Sequence, residues 1–286
     1  MSAEPRQVGN AMWHELRLFA TALQCLTRLR LPAWVGWDAA WPPQSVRHFP
    51  GAGLVVGAMA LVSMWAAAHA WPALVTVLVG MAATVWLTRA QHESALADAV
   101  GQRYGTVALT LVLALKAAAL HGLVTRDFAM ALAALPLAHA WSRAAIVWGL
   151  HLAPQQPQRQ SSPGADTGAS AAASGVQPAR ADAMAFVLAN LWCVWAAAAA
   201  SLFVPLRALA VAALVSLLLA WWLARAPWVR DTQDAPWVRN TQDAPWVRNT
   251  QDAPAVRDIS ARSWGGTQQL AELAVYLALL GVLAQG

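Results

Sequence analysis

Charge is what this sequence has least of. Of its 286 residues, 12% are charged, about half the share found in an average soluble domain. A soluble globule needs that charge to coat its surface, so the deficit argues against one. Cysteine is nearly absent. Cys25 and Cys193 lie far apart in apolar settings, which gives neither a disulfide framework nor a CxxC metal site. Lysine occurs once, as Lys116, and the other basic residues are arginines spread along the chain without a dense run. That dispersal, with no recognition motif beside it, argues against nucleic acid as a partner despite a net charge of +5. What the chain has in abundance is apolar surface, with 58% hydrophobic residues. The class that remains is an all-α polytopic integral membrane protein in a lipid bilayer.

Apolar runs suited to about 30 Å of hydrocarbon predict about seven spans, near 51–71, 73–88, 105–124, 128–150, 184–204, 206–224 and 267–286. The second is short and can pair with the first as a helical hairpin. Trp71, Trp86, Trp148, Trp221 and Trp222 fall near predicted span ends, the headgroup level that an amphipathic ring prefers. The chain then divides into an N-terminal segment (1–50), four spans with a loop at 89–104 (51–152), a Gln/Pro/Ser/Gly/Ala-rich linker (153–183), two spans (184–224), a repeat loop (225–266) and a last span (267–286). No cleavable signal is read in residues 1–50. Residues 14–31 place Leu16, Phe19, Leu23 and Leu26 on one side at helical spacing and predict an interfacial helix. In the repeat loop, Ala-Pro-Trp-Val-Arg-Asp-Thr-Gln-Asp at 226–234 recurs with one Asn for Asp at 235–243 and 244–252. A proline every nine residues forbids a long helix there, and duplication of a short loop segment accounts for the repeat. With the N-terminus in the cytoplasm, every arginine falls on the inner side except Arg126, Arg207 and the intraspan Arg143. The positive-inside rule fixes that orientation and explains the basic balance.

Charge inside lipid is costly, so Lys116, Arg143 and Glu272 need a reason to be there. Pairing between helices is one reason; a site is another. A small transporter is a reading that these three allow, although no inverted repeat accompanies them. The loop after the second span carries His92-Glu-Ser-Ala-Leu-Ala-Asp98. If it is helical, Ser94 and Asp98 share a face at i, i+4. Oxygen ligands of this kind suit Mg²⁺, which takes one or two carboxylates with waters and substrate phosphates.

Several stretches, in order, resemble the cobalamin synthase (adenosylcobinamide-GDP ribazoletransferase) family of the bacterial inner membrane. They are Leu23-Gln-Cys-Leu-Thr-Arg-Leu-Arg-Leu-Pro32, Phe49-Pro-Gly-Ala-Gly-Leu-Val-Val-Gly57, His92 to Asp98, Tyr104-Gly105 leading to Leu115-Lys116, Ser142-Arg143, and Gln268-Gln-Leu-Ala-Glu-Leu-Ala-Val-Tyr276. The resemblance implies a Mg²⁺-dependent transferase. A ribose oxygen of α-ribazole or its 5′-phosphate attacks the phosphorus attached to cobinamide in adenosylcobinamide-GDP, and GMP leaves. It implies Glu93 and Asp98 as metal ligands, His92 as a base or phosphate contact, Arg103 and Arg143 on the diphosphate, and Glu272 as an orienting group. Association with other enzymes of the pathway is a further implication. The chain departs from the family's His-x-Asp-Gly-Leu-Ala-Asp pattern, since Ser94-Ala95 stand for Asp-Gly. Tyr104 follows Asp98 by only six positions, where the resemblance implies a longer stretch with more acids and basic groups. These departures imply an alternative, a catalytically impaired remnant that serves as a membrane scaffold.

Overall fold

The computed structural model describes residues 4–152, 183–225 and 265–285, apart from Leu31, Trp37, Ala39 and Gln102. The predicted linker, but for its last residue, and the nine-residue repeats lie outside the described residues. All regular structure among the described residues is helical. The helices are α1 (Glu4–Leu26), α2 (Trp41–Ser45), α3 (Phe49–Ala67), α4 (Ala73–Thr88), α5 (Gln91–Val100), α6 (Gly105–Arg126), α7 (Phe128–Leu152), α8 (Ala183–Ala200), α9 (Leu206–Arg225) and α10 (Gly265–Leu283).

Each of the seven predicted spans falls on a helix. Five helices are long and apolar enough to cross a membrane unaided: Trp41–Ala67, which joins α2 to α3, then α6, most of α7, α8 and α10. The second and sixth runs are the short ones. In α9 the apolar part is Leu206–Trp222, while α4 has 16 residues and then turns by 86° into α5. The cause of that turn is local. Arg89 and Ala90 both take left-handed backbone angles, φ 59° and 55°, at about 1–2 kcal/mol each for residues with a Cβ. The resulting α5, ten residues long, is too short to cross hydrocarbon and lies across the bundle end.

The core is organised around α7. Of its apolar window 83% is buried, against 22% for α6. Its neighbours α3, α8, α9 and α10 surround it. The α3–α7 contact depends on two glycines. A Cβ at Gly53 would collide with the backbone of His139, and one at Gly57 with that of Pro136. Small residues four apart let helix backbones approach closely where no hydrophobic effect drives helices together. The Phe49–Gly57 stretch therefore serves packing, and it fixes α3 against α7 beside His139. Large apolar side chains elsewhere point outward, among them Val62, Trp65, Leu111, Leu191, Trp195 and Trp222. Such a belt is what lipid contact requires, and the protein is a multi-pass membrane protein.

Candidate functional site

Four helices bring polar residues to one buried place. The start of α10 lies against α5, where Gly265 touches Ala95 and the backbone of His92, and Gly266 touches Leu96. α6 and α7 close the other sides. At the centre is Glu272 of α10, 3% exposed. Its Oε1 lies 2.7 Å from Lys116 Nζ of α6, and its Oε2 lies 3.4 Å from His139 Nδ1 of α7. The Tyr276 hydroxyl donates to Glu272 Oε1 at 3.2 Å. Lys116 also donates to Gln269 Oε1 at 2.9 Å, and Gln269 Nε2 donates to Glu93 Oε1 on α5 at 2.9 Å. Arg143 Nη1 donates to the His139 carbonyl at 2.9 Å and lies 3.3 Å from His139 Nδ1. That nitrogen donates to Glu272 if it carries the proton and accepts from Arg143 if it does not.

The cluster is incomplete as a hydrogen-bond network. Arg143 Nε and Nη2, Glu93 Oε2, His92 Nε2, Thr267 Oγ1 and Gln268 Oε1 are buried and have no partner among the described residues. Each such group costs about 1–3 kcal/mol. Such groups are open to water or to a ligand. Arg143 lies within electrostatic reach of Glu272, Glu93 and Tyr276. Burial first, and the Arg143 charge second, hold His92 well below the usual histidine range. Its imidazole is neutral at pH 7, able to take a proton once solvent or substrate reaches it.

Of the residues expected from sequence, His92, Glu93, Arg143 and Glu272 come together here. Asp98 and Arg103 do not. Asp98 is exposed and shares the outer face of α5 with Ser94. Arg103 is exposed and lies over the Tyr104 ring, 5.6 Å from its centroid. Glu93 and Asp98 are five residues apart, about 140° around a helix, so one is buried and the other faces out. The two acids expected to hold one ion therefore do not share a face of α5. Among the described residues no three His, Cys, Asp or Glu gather in ligating geometry. The residues present do not fit a Mg²⁺ held jointly by Glu93 and Asp98.

Sequence alone does not mark His139, Gln269 or Tyr276 as site residues, and it marks Lys116 as an intraspan charge within a family-like stretch. The signal for them was spacing. Gln269, Glu272 and Tyr276 recur at i, i+3 and i+7 on one face of α10, and His139 precedes Arg143 by four.

The chain matches the profile of the family described as Cobalamin-5-phosphate synthase, over residues 18–102 and 99–231. The chain belongs to the cobalamin-5-phosphate synthase family. An adenosylcobinamide-GDP ribazoletransferase of Leptothrix cholodnii is 44% identical over 164 residues, covering 50% of this chain and 62% of that protein. One of Shewanella sp. strain ANA-3 is 34% identical over 152 residues, covering 46% and 58%. The matched part thus spans about three fifths of these curated relatives. No solved structure matches. The family match restarts at 99–102, just after Asp98. The alignment to the Leptothrix relative runs over 164 positions but uses only half of 286 residues, so roughly twenty of its positions have no residue here.

Proposed function

We propose that this chain joins adenosylcobinamide-GDP to α-ribazole, or its 5′-phosphate, to give adenosylcobalamin or its phosphate and GMP. The observation that carries this reading is the convergence of His92, Glu93, Arg143 and Glu272 in one buried cluster with unpartnered donors and acceptors. The relatives' names supply the reaction.

In this reading a ribose hydroxyl forms a bond to the phosphorus that carries cobinamide, and the bond to GMP breaks. The hydroxyl proton passes to neutral His92 at Nε2. Arg143 offers Nε and Nη2, a planar fork matched to phosphate oxygens. Lys116, paired with Glu272, donates to Gln269, and Gln269 in turn holds Glu93 of α5. Transfer of this kind rests on positioning and charge neutralisation more than on covalent catalysis. Substrate reaches the cluster past α5, the short helix over the ends of α6 and α10. The N-terminus is cytoplasmic and the bilayer is the bacterial inner membrane, so the site opens where nucleotides are. Mg²⁺ enters the proposal only through Asp98, the exposed acid of α5, because Glu93 faces away from it.

The test is incubation of membranes holding the chain with adenosylcobinamide-GDP, α-ribazole 5′-phosphate and Mg²⁺. Formation of a cobalamin product and GMP supports the reading. No product, where membranes with the Leptothrix relative give it, overturns it. A second reading is favoured by the break in the family match just after Asp98: an impaired remnant that scaffolds neighbouring enzymes. Under that reading, inserting the relative's stretch between Asp98 and Tyr104 creates an activity that the chain alone lacks.

A further inference from the structure

The packing of α1 defines a depth in the membrane. Glu15 lies 3.1 Å from Arg47 Nη2 and 2.8 Å from His48 Nε2, just ahead of α3. Phe19 stacks on Trp192 of α8, ring centroids 5.7 Å apart. Ala22 and Leu26 pack with Phe49, Ile146, Leu150 and Ala185. The Arg28 backbone N–H donates to the Leu87 carbonyl at 2.8 Å, and its guanidinium lies 4.4 Å from the centroid of Trp86. Consecutive spans alternate in direction. The start of α3, the end of α4, the end of α7 and the start of α8 therefore lie on one side of the bilayer. α1 crosses these same-side ends, at headgroup depth.

On its outer side α1 leaves Met12, Trp13 and Leu16 exposed, at 68%, 53% and 44%. Beside them is a cavity of about 600 Å³ lined by Asn10, Trp13, His14, Arg17 and Trp34. Trp13 and Trp34 meet edge to face, 79° between planes. The Arg17 guanidinium lies 5.8 Å from the centroid of Trp41, and its Nε is buried without a partner. The acid nearest in sequence, Glu15, is taken by Arg47 and His48. Among the described residues no acid pairs with Arg17.

We infer that this cavity seats the headgroup of an anionic phospholipid. Its phosphate meets Arg17 and its acyl chains run along Met12, Trp13 and Leu16. The chemistry matches at each point: an unpaired guanidinium for the phosphate, indole rings at the interface, and an apolar strip leading toward hydrocarbon. A nucleotide fits less well. The perpendicular indoles form no parallel slot for a base, and a diphosphate carries more charge than one arginine offsets.

Native mass spectrometry of the full chain, titrated in detergent with phosphatidylglycerol or phosphatidylethanolamine, tests this. Phosphatidylglycerol should be retained about fivefold more tightly, the effect of one arginine near an anionic surface. Arg17→Gln should remove the difference, and Arg30→Gln, an exposed arginine of the same segment, should keep it. Trp34→Ala removes a wall of the cavity without touching Arg17 and should also weaken retention. Equal retention of the two lipids in the unaltered chain, or an unchanged preference in Arg17→Gln, overturns the assignment. So does competition by inorganic phosphate or GMP at concentrations equal to the lipid, which would mark a site for soluble anions.

Discussion

Removing the charge of Glu272 should break the cluster. Glu272→Gln keeps the shape and one acceptor but no longer neutralises Lys116, 2.7 Å away. At an effective dielectric of 20, a pair at that distance attracts by about 6 kcal/mol. Desolvation of both ions offsets much of this while the pair is intact. With one ion gone, the other stays buried without compensation, and the net loss for such truncations is about 3–5 kcal/mol. Arg143 is also within reach of Glu272, which puts Glu272→Gln in the upper part of that range. Lys116→Met should cost less, because Glu272 keeps the Tyr276 hydroxyl, His139 and Arg143. The double substitution Lys116→Met/Glu272→Gln should cost less than the two singles added, by about 2 kcal/mol, because directly paired residues couple while distant ones add within about 0.5 kcal/mol. The assay is equilibrium unfolding in mixed micelles as the fraction of SDS rises, followed by tryptophan fluorescence. A Glu272→Gln loss under about 1 kcal/mol, or additive singles, would refute the reasoning, since the pair would then not be a desolvated ion pair.

Gly57→Ala should cost about 1–3 kcal/mol by forcing α3 off the Pro136 backbone. In the same unfolding assay Gly281→Ala, with open space around it, should lose nothing and can gain up to about 1 kcal/mol from helix propensity. Acid should weaken the fold through His92. Its folded pKa is below the ordinary 6.5, so the unfolded chain binds a proton that the folded one refuses. Stability is then constant above pH 6.5 and falls as pH drops below it, by about 1.4 kcal/mol one unit down. His92→Gln should flatten that dependence, and an unchanged slope between pH 7.5 and 5.5 would remove His92 from the account. Asp98→Ala should leave stability within about 0.5 kcal/mol, as for an exposed residue, and should raise the Mg²⁺ needed for half-maximal product. Ser94→Asp should lower that Mg²⁺ requirement, and no response to either substitution would separate Asp98 from the metal.

Much of the fold was legible because lipid leaves so few options. Apolar runs in this chain must be helices, and Arg89-Ala90 ends the shortest pair of them where polar residues begin. The 86° break into α5 was not legible, since two left-handed residues with side chains carry no turn signal. The cluster was legible in part. Arg143 and Glu272 stood out because charge in an apolar run is rare. Gln269, His139 and Tyr276 did not, because uncharged polar residues in a span are ordinary until a partner from another helix meets them. Glu93 as a metal ligand beside Asp98 comes from the resemblance alone, while burial decides which side of α5 is which.

That last distinction bears on what has changed in this chain. α5 has two faces with different fates. The inner face carries His92 and Glu93, held by Gln269 and by the start of α10. The outer face carries Ser94 and Asp98, both exposed. The resemblance implies an aspartate at the position of Ser94, where two carboxylates at i, i+4 would lie side by side on that outer face. The family match breaks just beyond it, after Asp98. Ser94 and the break in the family match therefore both lie on the solvent side of α5 and in the connection that follows it, away from the buried contacts. Physical cost explains the division. Replacing an exposed acid costs the fold almost nothing, whereas losing a buried partner leaves an uncompensated charge. Stability alone would preserve the inner cluster in a chain that had stopped turning over. Under the remnant reading, restoring the outer face should therefore raise product formation without a change in stability, and no gain in product would refute it.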